Sequence, residues 1–382
     1  MQGHVAIAGG GVIGLACSLA LRRRGLQVTV LEAGAVMKEA SWAAGGMLAV
    51  EDPENPAPML PLSRYSRDLY EGFLQEIEAL SGKSVPLRTH QTVQVLETTP
   101  RGKSGVLLAR EEAQRLLPGL TGTAAGYLLL EEASLDPRDL CVALPIAARA
   151  AGVVLREHER VLSVQVGSEP VSSEPVSSEP TGSEGVVLTT ERGVVHSDAF
   201  INCCGAWAGA LDSSSGIAPS KGQMLVIGQP NGPRLTRVLR SPDVYLIPRG
   251  RISDVQSRIV IGATVEDAGY SKQVEPDALA ILRRRAAVLW PPAMDAPYVE
   301  SWAGLRPRSG DGLPMIGRQP DSSAAQFLAT GHFRNGILLA PGTADVIADL
   351  VCGTTPAVDL APFAPHRASI AASCDKHFAA AL

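Results

Sequence analysis

Residues 5–14 read Val5-Ala6-Ile7-Ala8-Gly9-Gly10-Gly11-Val12-Ile13-Gly14, and this stretch decides the fold. Four apolar residues in a row predict a buried strand. The pattern Gly9-x-Gly11-x-x-Gly14 that follows predicts a tight turn, close approach of the backbone to a ligand, and close packing of the next helix. That helix ends in Arg22-Arg23-Arg24-Gly25, with cations at the carbonyl end of the dipole and a glycine to stop it. A second strand, Val28-Thr29-Val30-Leu31, finishes at Glu32, 18 residues past Gly14. The unit is strand, helix, strand. The amides and the helix dipole at its turn favour a pyrophosphate, and Glu32 is placed to accept hydrogen bonds from adenosine ribose hydroxyls. The fingerprint alone leaves FAD and NAD open. The next stretch, Ser41-Trp42-Ala43-Ala44-Gly45-Gly46-Met47-Leu48, favours flavin: its small residues let the backbone lie against a flat cofactor, where a nicotinamide enzyme would proceed into another strand–helix unit.

Further along, Leu62, Tyr65, Leu69, Phe73, Ile77 and Leu80 recur at helical spacing before Gly82, predicting an amphipathic helix over about 60–81. Alternation such as Thr92-Val93-Gln94-Val95-Leu96 predicts strands of a half-exposed sheet between 85 and 132. Asp136-Pro137 marks the cap and first turn of another helix, ended by Gly152. Strands resume over 153–155 and 161–166. Residues 168–184 repeat a Ser-Glu-Pro unit that cannot build a core, so they are read as a solvated loop joining 161–166 to 185–190 as a hairpin. A strand ends at Cys203-Cys204-Gly205, and β-like runs then occupy 223–264. A helix led by Pro276-Asp277 follows, then a return strand at Phe327-Leu328-Ala329-Thr330 and a last helix near 336–351.

The chain has 382 residues, enough for two domains or one large composite one. Apolar residues make up 45% and charged residues 19%, which fits a folded enzyme and not a disordered chain. The net charge of -5 provides no positive excess to hold nucleic acid or an anionic membrane, so small molecules are the expected partners. No apolar run reaches the roughly 18 residues that span a bilayer, and no basic segment precedes the first apolar stretch; a cytoplasmic location is expected. The six cysteines, Cys17, Cys141, Cys203, Cys204, Cys352 and Cys374, form no CxxC pair, so neither a disulfide framework nor a metal site is expected.

The N-terminal fingerprint, 41–48, Trp302-Ala303-Gly304-Leu305-Arg306-Pro307 and Gly331-His332-Phe333-Arg334-Asn335-Gly336-Ile337-Leu338 together resemble the D-amino-acid oxidase family of FAD-dependent oxidoreductases, most nearly its bacterial glycine-oxidising branch serving thiamin biosynthesis. The resemblance covers nearly the whole chain apart from 168–184 and the C-terminal tail. It implies an α/β (mixed α+β) fold, similar to glutathione reductase, with a Rossmann-like FAD-binding domain and an inserted antiparallel-sheet substrate domain. The expected division is 1–84, 137–219 and 306–382 for the FAD domain, with 168–184 as its low-complexity loop, and 85–136 and 220–305 for the substrate domain.

The resemblance also assigns roles. Arg306 corresponds to the arginine that binds the substrate carboxylate, a task its planar guanidinium suits by giving two parallel charge-assisted hydrogen bonds. Arg334 corresponds to a second position near the substrate, and Tyr245 to a tyrosine whose hydroxyl lies over the site, making the three the candidate catalytic and substrate-binding group. The candidate cofactor-binding residues are Gly9, Gly11, Val12, Ile13, Gly14, Glu32, Ala33, Ala40, Ser41, Gly45, Gly46, Met47 and Val161, with 332–338 (His332, Phe333, Arg334, Asn335, Gly336, Ile337, Leu338) beside the flavin. His332 is expected to bond to backbone, with no acid–base duty. Val265, after Gly262-Ala263-Thr264, stands where the glycine-oxidising relatives carry methionine, which widens the substrate pocket. No cysteine lies between Cys204 and Cys352, so the FAD is expected to be held non-covalently.

The implied reaction is oxidative deamination of glycine, sarcosine or small D-amino acids with dioxygen as acceptor, releasing hydrogen peroxide. A flavin-dependent D-amino-acid dehydrogenase using another acceptor stays open as an alternative. Expected partners are the small amine substrate, dioxygen, further copies of the chain in a homo-oligomer, and the thiazole-forming enzyme of thiamin synthesis.

Overall fold

A computed structural model describes residues 3–97, 105–121, 124–167, 185–230, 232–250, 257–320, 322–365 and 367. The Ser-Glu-Pro repeat at 168–184 lies outside the described residues.

The opening stretch forms the strand His4–Ala8 and the helix Val12–Arg23, followed by the strand Gln27–Leu31. His4–Ala8 sits inside a six-stranded sheet, in the order Met315–Arg318, Ala325–Thr330, Ala199–Asn202, His4–Ala8, Gln27–Leu31, Val154–Arg156. All neighbours run parallel except the edge strand Met315–Arg318. Strands buried on both faces need near-continuous apolar sequence, which Val5 to Ala8 supplies. The chain leaves His4–Ala8 for one side of the sheet and returns on the other at Ala199–Asn202. The Gly9–Gly14 turn therefore opens at a topological switch point, where open α/β sheets bind ligands.

One face of this sheet is covered by helices Val12–Arg23, Leu60–Ser81, Pro137–Ala150 and Gly336–Val351, which share its largest core cluster. The other face carries a three-stranded antiparallel sheet, Val161–Gly167, Gly185–Thr190 and Gly193–Ser197, whose Val161, Val186, Leu188 and Val195 pack on Ala6, Ala8 and Leu31. The expected pairing of 161–166 with 185–190 is present.

The helix Gly336–Val351 contains Pro341, which cannot donate to the carbonyl of Ile337. The helix Leu60–Ser81 repairs the gap. Tyr70 donates its hydroxyl to Ile337 O at 2.7 Å, Ser66 donates to Leu338 O at 2.7 Å, and Ser66 Oγ accepts from Gly342 N at 2.9 Å. Gly342 has no room for a Cβ, which would lie 2.8 Å from that of Ser66. The start of the last helix is thus fixed in place.

A second, eight-stranded sheet runs Tyr298–Arg308, Ala218–Gly228, Arg258–Gly262, Tyr245–Arg249, Val238–Arg240, Thr92–Leu96, Gly126–Leu130, Val106–Leu108. It is antiparallel apart from the pair Val238–Arg240 with Thr92–Leu96, which is parallel. Helix Pro276–Leu289 packs on one face, through Leu282 and Ala286 against Leu225, Ile227 and Ile259. The half-exposed reading of Thr92–Leu96 is corrected here. Thr92 and Gln94 are both buried, and Gln94 accepts a hydrogen bond from Arg240, itself buried in the sheet.

Candidate active site

A cavity of about 1730 Å³ runs from the Gly9–Gly14 turn to the inner face of the eight-stranded sheet. Small-ligand pockets commonly measure roughly 300–1,000 Å³, so this one has room for a dinucleotide and a small substrate together.

At the nucleotide end the wall is main chain. Gly9 has φ +103°, and a Cβ on it would lie 2.3 Å from Cys203 O; a Cβ on Gly14 would lie 2.0 Å from Gly9 O. A side chain at either position would force strand and helix apart. A Cβ on Gly11 would meet only Ser41 Oγ, at 3.3 Å. The Val12 amide donates to Ser41 Oγ at 2.9 Å, leaving the Ser41 hydroxyl proton free to face an anion at the helix N-terminus. Glu32 accepts from Gly10 N at 2.7 Å and Gly34 N at 2.8 Å, one bond per carboxylate oxygen, so each oxygen keeps a lone pair for a ribose hydroxyl. Cys204 also lines this end, and burial pushes its thiol up to about 12, which keeps it protonated.

The middle of the wall is the small-residue stretch, pinned from behind. Trp302 donates its indole N–H to Ala43 O at 3.0 Å, and Arg249 donates from Nη2 to Ala44 O and Gly45 O, both at 3.1 Å. Arg249 is buried and ion-paired with Asp136, which also caps the helix Pro137–Ala150 by accepting from Arg138 N at 3.0 Å. A Cβ on Gly46 would lie 2.2 Å from Leu135 O. These contacts fit a flat group laid against 41–47.

The far end holds Tyr245, Arg306, Arg334 and Val265, all of which line the cavity. Arg306 Nη1 donates to Thr264 O at 2.9 Å, and its guanidinium lies over Gly222, where a Cβ would come within 2.2 Å of Nη2. No ion pair involves Arg306 among the described residues. Burial holds its pKa below the ordinary guanidinium value, with Tyr245 working in the opposite sense and Arg334 in the same one. Arg334 is different. Glu54 pairs with its Nη1 and Asp52 lies 3.6 Å from its Nη2. Burial opposes its charge, but these two carboxylates outweigh that and raise its pKa. Val265 is 49% exposed beside this end.

His332 is buried, with Nε2 3.0 Å from the Thr343 hydroxyl; its partner is a side chain, not the backbone expected from sequence. Burial pushes its pKa down to about 3, so the ring is neutral. Phe333 takes a left-handed φ of +46° and donates its amide to Pro307 O at 2.8 Å, which turns the chain into the last helix.

The cavity brings together Gly9, Gly11, Val12, Ile13, Glu32, Ala33, Ala40, Ser41, Gly45, Gly46, Met47, Val161, Tyr245, Val265, Arg306 and 332–337. Two expected residues stand apart. Gly14 faces Gly9 and serves strand–helix packing, and Leu338 turns into the core at 1% exposure. Sequence reading missed Asp52, Glu54 and Arg249. Asp52 and Glu54 lie in Glu51-Asp52-Pro53-Glu54-Asn55, which has the composition of any solvated loop, and Arg249 merely ends a strand. Nothing local marks them.

A family profile for FAD dependent oxidoreductases (DAO) matches residues 4–350. The chain is 32% identical over 384 residues to a glycine oxidase of Geobacillus kaustophilus, covering 95% of this chain and 96% of that one. The crystal structure of glycine oxidase from Geobacillus kaustophilus superimposes with a TM-score of 0.84, covering 96% of this chain and 99% of that one. A Synechocystis protein named bifunctional protein ThiO/ThiG is 33% identical over 374 residues, which are 95% of this chain but 54% of that protein. The glycine turn at the switch point, the pinned small-residue wall and the match over nearly the full length agree, and this chain belongs to the DAO family of FAD-dependent oxidoreductases.

Proposed function

We propose that the protein oxidatively deaminates glycine and other small amines, sarcosine and small D-amino acids among them. With glycine, one dioxygen and one water are consumed, and glyoxylate, ammonia and hydrogen peroxide are released. One observation carries the reading: Arg306 presents a guanidinium with no ion pair among the described residues, at the end of a cavity whose other end fits a dinucleotide. The relatives named glycine oxidase support the choice of substrate.

FAD, when bound, supplies the two-electron acceptor. The residues that would hold it are the Gly9–Ile13 turn, Glu32, Ser41, 44–47, Val161 and 332–337. The link is non-covalent, since the cavity's cysteines, Cys203 and Cys204, lie at the nucleotide end.

The chain's own part is orientation and electrostatics. The Thr264 carbonyl fixes one edge of the Arg306 guanidinium, and its remaining N–H groups receive the substrate carboxylate as a fork. Tyr245 adds a hydroxyl above the same spot. No side-chain base is needed, and His332, the only imidazole lining the cavity among the described residues, is held neutral against Thr343. Val265 leaves space for a side chain beyond that of glycine. The amino end of helix Gly336–Val351, braced by Ser66 and Tyr70, directs positive dipole toward the cavity.

The glycine imine, before water hydrolyses it to glyoxylate, is supplied to the thiazole-forming step of thiamin synthesis, a placement supported by the relative that joins a second part to this one under the name ThiO/ThiG. Residues 1–84, 137–219 and 306–382 act as the cofactor unit, and 85–136 and 220–305 as the substrate unit. Homo-oligomerisation is part of the proposal. The test is to purify the holoprotein and measure peroxide from glycine, sarcosine, D-alanine and D-proline. Peroxide from glycine is expected, whereas a protein that takes up no FAD would overturn the reading.

A further inference from the structure

Two of the arginines that line the cavity, Arg306 and Arg334, are met by unequal charge. Arg306 spends one N–H on the Thr264 carbonyl and has no ion pair among the described residues. Arg334, close enough to lower the pKa of Arg306, is already occupied by Glu54 and by Asp52. Neither acid is a passing surface contact. The Asp52 side chain is 7% exposed and lies 3.6 Å from Arg240 Nη1, while Arg240 Nη2 is 3.1 Å from buried Glu132. The segment carrying both acids is tied down twice more, by Glu51 N donating to Glu132 at 2.8 Å and by Asn335 donating to Asn55 at 2.9 Å. Both Asp52 and Glu54 line the cavity.

A substrate with one carboxylate finds at Arg306 a guanidinium with no ion pair among the described residues. A second carboxylate would have to expel Glu54 from Arg334 and then stand beside the fixed charge of Asp52. Rejection by like charge is a standard route to specificity. We propose that Glu54 and Asp52 make Arg334 a closed position, so that the site accepts amines carrying a single carboxylate and excludes dicarboxylic ones. This deepens the reading of the site given above and rests on it for the identity of the amine.

The test uses binding to the holoprotein, so that it does not depend on turnover. Acetate and malonate are titrated by calorimetry into the wild type, Glu54→Gln, and the double variant Glu54→Gln/Arg334→Gln. The wild type should bind malonate at least tenfold more weakly than acetate. Glu54→Gln should narrow or reverse that ratio by at least tenfold, and the double variant should lose the gain. In a parallel assay, peroxide from D-aspartate relative to D-alanine should rise at least tenfold in Glu54→Gln. Equal binding of the two anions by the wild type, no binding of acetate, or an unchanged ratio in Glu54→Gln would overturn the inference. Absence of peroxide from glycine alongside the expected anion ratios would instead overturn the choice of substrate and leave the closed position standing.

Discussion

At the Gly9–Gly14 end the cavity wall is main chain, and at the Tyr245–Arg306 end it is side chains held by side chains. The first end works by omission. Gly9 and Gly14 leave out Cβ atoms that would lie 2.3 and 2.0 Å from backbone oxygens, and the helix can then bring its amides up to an anion. The second end works by charge that is either left open, as at Arg306, or closed, as at Arg334. A backbone site recognises what all dinucleotides share. A side-chain site can be retuned one residue at a time, which is where members of one family come to differ in substrate.

The largest effect is expected from Arg306→Ala. Losing two charge-assisted hydrogen bonds of about 1.5–3 kcal/mol each should lower kcat/KM for glycine about a thousandfold, with FAD content unchanged, as read by peroxide release and the flavin absorbance. Near-normal turnover at low glycine would remove Arg306 from the site.

His332 lines the same cavity. The folded protein binds a proton there only near pH 3, while the unfolded chain does so near the ordinary histidine value of about 6.5. The stability that comes from keeping this ring neutral is fully present above about pH 6.5 and is lost as pH falls toward 3, by up to about 1.4 kcal/mol per unit. His332→Gln should flatten that dependence by about 2 kcal/mol at pH 5, measured from urea midpoints at pH 5 and 7.

Tyr70→Phe tests the brace behind the last helix. It strands the buried Ile337 carbonyl and should cost about 1–2 kcal/mol, seen as a lower melting temperature of the holoprotein. The smallest effect is expected from Val265→Met, which should shift the kcat/KM ratio of glycine over D-alanine up to about tenfold toward glycine. No shift would mean that Val265 does not face the substrate side chain.

How much of this was legible in the sequence follows the same divide. Glycine spacing, helix caps and apolar runs are local signals, so the Gly9–Gly14 turn, the acid at Glu32 and helices Leu60–Ser81, Pro137–Ala150 and Gly336–Val351 could be placed from sequence alone. Arg306, Arg334 and Tyr245 needed the family resemblance, because an arginine in a strand looks the same whether it faces solvent or a cavity. The residues that set their charge were not legible at all. Glu54 is 280 positions from Arg334, and Arg249 is 113 from Asp136. Only folding brings such pairs together, and no periodicity records it. The parallel pairing of Thr92–Leu96 with Val238–Arg240, which buries Gln94, was hidden for the same reason.

An open Arg306 and a dinucleotide cavity together make an amine oxidase, and mixing the purified yellow holoprotein with glycine in air while following peroxide and glyoxylate checks this. Equimolar peroxide and glyoxylate are predicted. Glyoxylate formed only when an artificial electron acceptor is added, with no peroxide in air, would contradict the oxidase account and favour a dehydrogenase.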